Sequence, residues 1–118
     1  MPTQDPNADR DSLMQGTLDL LVLRTLALGP HHGQGIARVI QQRSGDTLLV
    51  DHGSLYPALQ RLETRGWIKG AWGTSDNNRR ARFYHLTRAG RRQVEREERA
   101  WQDATDIVGR FLAPKAAR

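Results

Sequence analysis

The chain has 118 residues, with 18 lysines and arginines against 13 aspartates and glutamates, and no cysteine. This length allows one domain with one modest core, of a size that often completes its burial by dimerising. The lack of cysteine excludes disulfides and thiolate zinc sites and fits a reducing, cytoplasmic setting. No apolar run approaches the ~20 residues of a membrane span, so no membrane partner is expected.

The opening "MPTQDPNADRDS" is polar and lacks the apolar region of a secretory signal. Residues 1–13 are expected to form a disordered tail. "GTLDLLVLRTLALG", residues 16–29, repeats Leu18, Leu21, Val22 and Leu28 at helical spacing, while Leu20, Leu23 and Leu26 widen the stripe. A helix apolar over so much of its circumference packs against more than one neighbour. Gly29–Pro30 stops it. The second helix is expected at about 33–44, with Ile36, Val39 and Ile40 on its apolar face and Gly45 at its end. "DTLLV" reads as a short strand or a loop.

In "DHGSLYPALQRLETRGW", residues 51–67, Leu55, Leu59 and Leu62 fall at i, i+4 and i+7. A helix is expected at about 54–65, with Ser54 as N-cap, Pro57 in the first turn and Gly66 as terminator. The period then changes. "WIKGAW" (67–72) and "ARFYHLT" (81–87) read as strands joined by a polar, basic loop. Thr87 is placed to cap a last helix at about 88–112. There Val94, Trp101 and Val108 are seven apart, with Ala104 and Phe111 at d-like positions and Glu97 interrupting the seam.

Three helices followed by a hairpin define the expected fold class: mainly α with a small β-hairpin, a winged helix-turn-helix plus a C-terminal dimerisation helix. The boundaries are 14–87 for the winged helix, 88–112 for the dimerisation helix and 113–118 for a tail.

Charge is concentrated rather than spread. Residues 61–92 hold nine lysines or arginines and two acids, a local balance of +7. A basic segment inside a folded domain points to a polyanion, nucleic acid first, although a solvated basic face has the same composition. In the helix-turn-helix reading, 33–44 braces and 54–65 enters the major groove. Ser54, Tyr56 and Pro57 would then stand at the phosphate-facing start of the recognition helix. Gln60, Arg61 and Thr64 would point towards the bases, where Gln and Arg suit adenine and guanine edges. Asn78, Arg79, Arg80 and Arg82 would form the wing.

Catalytic signals are poor. "GQG" at 33–35 lacks the remaining glycine of a dinucleotide fingerprint, and "DHGSLY" lacks the second glycine of a nucleophile elbow. His31 and His32 are adjacent and have no metal-ligand pattern around them. Glu95, Glu97 and Glu98 read as a solvated face. No enzyme activity, metal or cofactor is expected. Trp101 reads first as core or dimer packing, and second as a stacking surface for a flat ligand at a dimer interface.

"QGTLDLLVLRTLALGPHHGQGIARVI", "VDHGSLYPALQRLETRGWI" and "RFYHLTRAGRR" together resemble the PadR family of bacterial transcriptional regulators across roughly residues 15–112. "GSLYPALQRLE" followed by "GWI" is specific to that family. "YxLTxxG", here Tyr84 to Gly90, is shared more widely among winged helices. The resemblance implies a homodimeric repressor whose last helix packs against the partner's first helix. It also implies a flat aromatic effector near the dimer interface. Ser54, Tyr56, Pro57 and Gln60 match the family's DNA-reading segment, and the wing arginines match by position. Gln34 departs from the family, which often has tyrosine there, and the C-terminal region is a single helix.

The expectation is therefore a sequence-specific DNA-binding regulator, dimeric and repressing, on a pseudo-palindromic duplex operator. Leu18, Leu21, Val94, Trp101, Ala104, Val108 and Phe111 are expected at the dimer interface, with Trp101 at an effector site. The alternative is a protein-interaction module without specific DNA binding.

Overall fold

The computed structural model describes the backbone of residues 6–113 and the side chains of residues 16–113. Of the tails expected at 1–13 and 113–118, residues 1–5 and 114–118 lie outside the described residues. Helix α1 (Pro6–Leu26) begins earlier than its apolar pattern, so residues 6–13 of the expected tail carry helical backbone. Proline is compatible with a helix start, where its missing N–H had no intrahelical partner. From Leu18 onward α1 is the centre of the core. Val22 and Leu23 are fully buried, and Leu26 nearly so. Buried Thr25 is satisfied locally, its hydroxyl donating to the Leu21 carbonyl at 2.8 Å.

After α1 the chain forms a two-residue strand, β1 (His31–His32), which the residue pattern did not indicate. It leads directly into α2 (Gly33–Arg43), whose Ile36 and Ile40 pack on α1. The His32 imidazole caps α2, its Nδ1 accepting from the Gly35 N–H at 3.0 Å. α2 ends in a reciprocal pair of bonds, Gly45 N–H to Gln42 and Asp46 N–H to Gln41, with Gly45 at φ +64°. "DTLLV" is a loop, not a strand.

Helix α3 (His52–Thr64) buries Leu55, Ala58, Leu59 and Leu62. It starts two residues before the expected position, and its N-cap is Asp51 rather than Ser54. The Asp51 carboxylate accepts from the Ser54 N–H at 2.8 Å. Pro57 consequently stands in the second turn. It removes one helical bond, the one that the Gly53 carbonyl would have accepted, at an exposed position where water can replace it. The helix closes as expected at Gly66 (φ +77°), with Trp67 N–H bonded to Leu62 and Gly66 N–H to Glu63.

Strands β2 (Ile68–Thr74) and β3 (Arg80–Leu86) form the hairpin, with Ile68 opposite Leu86, Trp72 opposite Arg82 and Thr74 opposite Arg80. β1 adds to the free edge of β3, giving a three-stranded antiparallel sheet in the order β1-β3-β2. Helix α4 (Arg88–Leu112) is capped by Thr87 as expected, its hydroxyl oxygen accepting from the Gly90 N–H. The same hydroxyl donates to the Gly66 carbonyl at 2.6 Å, tying the start of α4 to the end of α3. Gly90 is required there, because a Cβ would collide with the Trp67 carbonyl oxygen. Beyond Val94, α4 progressively leaves the core, and residues 99–113 are all exposed.

Candidate nucleic-acid interface

The core holds α3 by Leu55, Ala58, Leu59 and Leu62, so the opposite face stands outward. Ser54, Tyr56, Pro57, Gln60 and Thr64 are all exposed on it, as the amphipathic pattern predicts. Tyr56 is anchored as well as exposed. Its ring stacks on His52, with centroids 5.4 Å apart and an interplanar angle of 11°. Its phenol lies against Gly33, where a Cβ would stand 2.9 Å from the hydroxyl oxygen. The glycine that opens α2 thus lets the bracing helix approach the recognition helix.

Two of the expected contact residues are not free. Arg61 turns back to Asp19 of α1, with Nη2 to Oδ1 at 2.8 Å, and both side chains are partly buried. Arg82 pairs with Glu63 of α3 at 2.5 Å and lies over the Tyr84 ring. The hydrogen bond and charge of Glu63 raise the Arg82 pKa further, and burial pushes the Tyr84 phenol up. Opposite charges at this distance satisfy each other, so these guanidiniums brace α3 against α1 and the hairpin. The expected opening at the α3 N-terminus is also altered. The Asp51 carboxylate occupies the positive end of the helix, where a phosphate had been expected to sit.

The hairpin tip fits the expected wing more closely. Asn78 adopts φ +59° and donates its N–H to the Ser75 carbonyl, making the turn. Arg79 and Arg80 are exposed and have no carboxylate partner among the described residues. Between the hairpin and the start of α2, with Tyr56 of α3 at its edge, lies an open cleft of about 600 Å³, whose lining includes Gln34, Asn77, Arg79, Arg80 and Arg82 and no acidic residue. Two of its walls were not singled out from sequence, His32 and Trp72. The His32 ring meets Phe83 edge-on at 5.2 Å.

The expected dimer residues divide. Leu18 and Val94 are buried in the chain's own core, because the first two turns of α4 pack on α1, and they are not open to a partner. The Arg24–Glu98 pair at 2.7 Å closes that internal contact. Leu21 is half-buried against the same core. Trp101, Ala104, Val108 and Phe111 are exposed, and so are Ile107 and Leu112, which the heptad reading left out.

A helix-turn-helix with an attached wing and a projecting final helix is a winged-helix protein of the kind that regulates transcription. The sequence profile of the Transcriptional regulator PadR-like family matches residues 22–96, and the chain belongs to that family. It is accordingly a DNA-binding transcriptional regulator and not an enzyme. A transcriptional regulator from Clostridium thermocellum shares the fold at a TM-score of 0.77, with 24% identity over 86% of this chain and 98% of its own. A PadR family transcriptional regulator from Eggerthella lenta is 26% identical over 92% of each chain, with a TM-score of 0.74. By sequence, an uncharacterized protein of Lysinibacillus sphaericus is 23% identical over 103 residues, covering 87% of this chain and 94% of its own. No helix among the described residues is long and apolar enough to cross a membrane.

Proposed function

We propose that the chain is a homodimeric repressor that reads a pseudo-palindromic operator through α3 and grips its backbone with the hairpin. The observation that carries this reading is a polar outer face of α3 together with a basic hairpin tip. Pro57, Gln60 and Thr64 line a depression on α3, and Arg79 and Arg80, which have no carboxylate partner among the described residues, line the cleft that Tyr56 of the same helix enters. Gln60 supplies base discrimination, Ser54 and Tyr56 hydroxyls donate to phosphate oxygens, and the wing arginines position the duplex. Arg61 and Arg82 act indirectly by holding α3 in place.

The exposed apolar residues of α4 supply the dimer contact, against the partner's α4 and the outer side of its α1. Two recognition helices then meet half-sites about one helical turn apart. Trp101 lines an open depression with Leu20, Glu98 and Arg99. In a dimer this becomes a wall of the interface, where a planar aromatic effector stacks and weakens DNA binding. The test is selection of duplexes from a random pool at moderate salt. Enrichment of a two-fold symmetric motif supports the reading. A pool that stays unenriched favours a protein-interaction module instead.

A further inference from the structure

Trp72 is large, apolar and unaccounted for. On β2 the residues facing the core are Ile68, Gly70 and Trp72, opposite Leu86, Tyr84 and Arg82 of β3. Ile68 is buried, yet Trp72, two pairs further out, remains 59% exposed. The core-facing side of the hairpin therefore continues past the end of the core into the cleft beside α3. The Arg80 guanidinium lies over the indole, 4.7 Å from its ring centroid. Arg82, directly across the strands, is held by Glu63 and by its passage over Gly70, so it cannot swing away to cover the ring. A tryptophan left this open is costly in water and marks a contact surface.

The surroundings identify what it contacts. Arginines line the cleft and acidic residues do not, so the occupant is an anion. The opposite wall holds Gln34 of α2 and Tyr56 of α3, whose hydroxyl is proposed above to donate to a phosphate. A strand of duplex DNA alternates phosphates with deoxyribose rings whose C–H faces are apolar. An arginine lying over a tryptophan matches that alternation.

We propose that Trp72 is a DNA-contacting residue: its exposed indole packs against a deoxyribose of the strand lying between α3 and the hairpin, while Arg80 meets the adjoining phosphate. The inference rests on the DNA interface proposed above and adds to it an apolar, salt-independent contribution to affinity.

Salt dependence separates this role from a purely electrostatic one. Each phosphate contact contributes about 0.9 to the slope of log affinity against log salt, whereas an apolar contact contributes nothing to it. The experiment is fluorescence anisotropy of the full-length dimeric protein with a duplex enriched from a random pool, over a series of potassium chloride concentrations. Trp72→Ala is expected to weaken binding roughly tenfold at every salt concentration, with the slope unchanged. Trp72→Phe, which keeps an aromatic face, is expected to stay within about threefold of wild type. Arg80→Ala is expected to lower the slope by about 0.9.

A second readout uses Trp67→Phe with Trp101→Phe, which leaves Trp72 as the sole tryptophan. Its emission should be quenched in step with binding. The proposal is overturned if Trp72→Ala binds within twofold of wild type. It is equally overturned if that variant loses slope together with affinity, since Trp72 would then only position Arg80. Unchanged Trp72 emission at saturating duplex also overturns it. A wild-type protein that binds no duplex removes the DNA interface itself, and this inference with it.

Discussion

Phe111→Glu tests the proposed dimer without disturbing the protomer. Phe111 is 85% exposed, Leu112 73%, Ile107 54%, Val108 51% and Trp101 41%. Full burial of such a side chain contributes about 1.5–3 kcal/mol, so each of these has roughly 1–2 kcal/mol still to gain. Over two protomers that sums to on the order of 10–20 kcal/mol, against an association cost of about 4–15 kcal/mol. The margin is thin, and removing two phenyl rings takes about 4 kcal/mol from it, a loss of ~1000-fold in the dimer Kd. A carboxylate in their place deepens the loss. Sedimentation velocity over a dilution series reads the Kd. Far-UV circular dichroism should show the helical content of the monomer retained, because Phe111 is exposed and lies outside the core cluster. A dimer whose Kd changes less than threefold refutes the assignment of this helix end to the interface. Val94→Asp is the contrast: Val94 is core, so that variant should unfold rather than dissociate.

Asp51→Ala should lower stability by about 1 kcal/mol in urea unfolding, the usual worth of a helix N-cap, whereas Ser54→Ala should cost less. Gly90→Val should cost several kcal/mol and lower Tm sharply, since its side chain would collide with the Trp67 carbonyl and undock α4 from the end of α3. Glu63→Gln removes the carboxylate that holds Arg82, and the freed guanidinium should raise affinity for unselected duplex and steepen its salt dependence in anisotropy titrations. Unchanged nonspecific affinity would mean that Arg82 faces away from DNA even when unpaired.

What was legible in the sequence is what depends on neighbours a few residues away. Leu55, Leu59 and Leu62 sit on one face because their spacing is helical. Gly66 and Thr87 end and start helices through bonds to residues within five positions, and both were readable. The start of α3 shows the limit of local rules. Asp51 and Ser54 are both good caps, and the carboxylate wins by accepting the N–H of the serine itself. That choice moved Pro57 into the second turn.

The pairings of two arginines were not legible, for a different reason. Arg61 finds Asp19 across 42 positions and Arg82 finds Glu63 across 19, and neither pairing leaves a local trace. A charge count reads both as available to DNA, while the fold makes them braces. Strand β1 is invisible for the same reason, since its two residues are defined only by pairing with Tyr84 and Phe83. The heptad in α4 was legible as a period. The point where α4 leaves the core was not, because Val94 and Trp101 differ only in what α1 places beside them.

The proposed division of labour is that α3 reads sequence and the wing grips the backbone. It is tested most directly by titrating wild type, Gln60→Ala and Arg79→Ala/Arg80→Ala against a selected operator and single-base variants of it. The double arginine variant should weaken binding to every duplex by a similar factor and lower the salt slope by up to about 2. Gln60→Ala should instead flatten discrimination at one position in each half-site, by about 1–3 kcal/mol, with the slope unchanged. Identical discrimination in Gln60→Ala, together with unaltered affinity in the arginine variant, would contradict the claim.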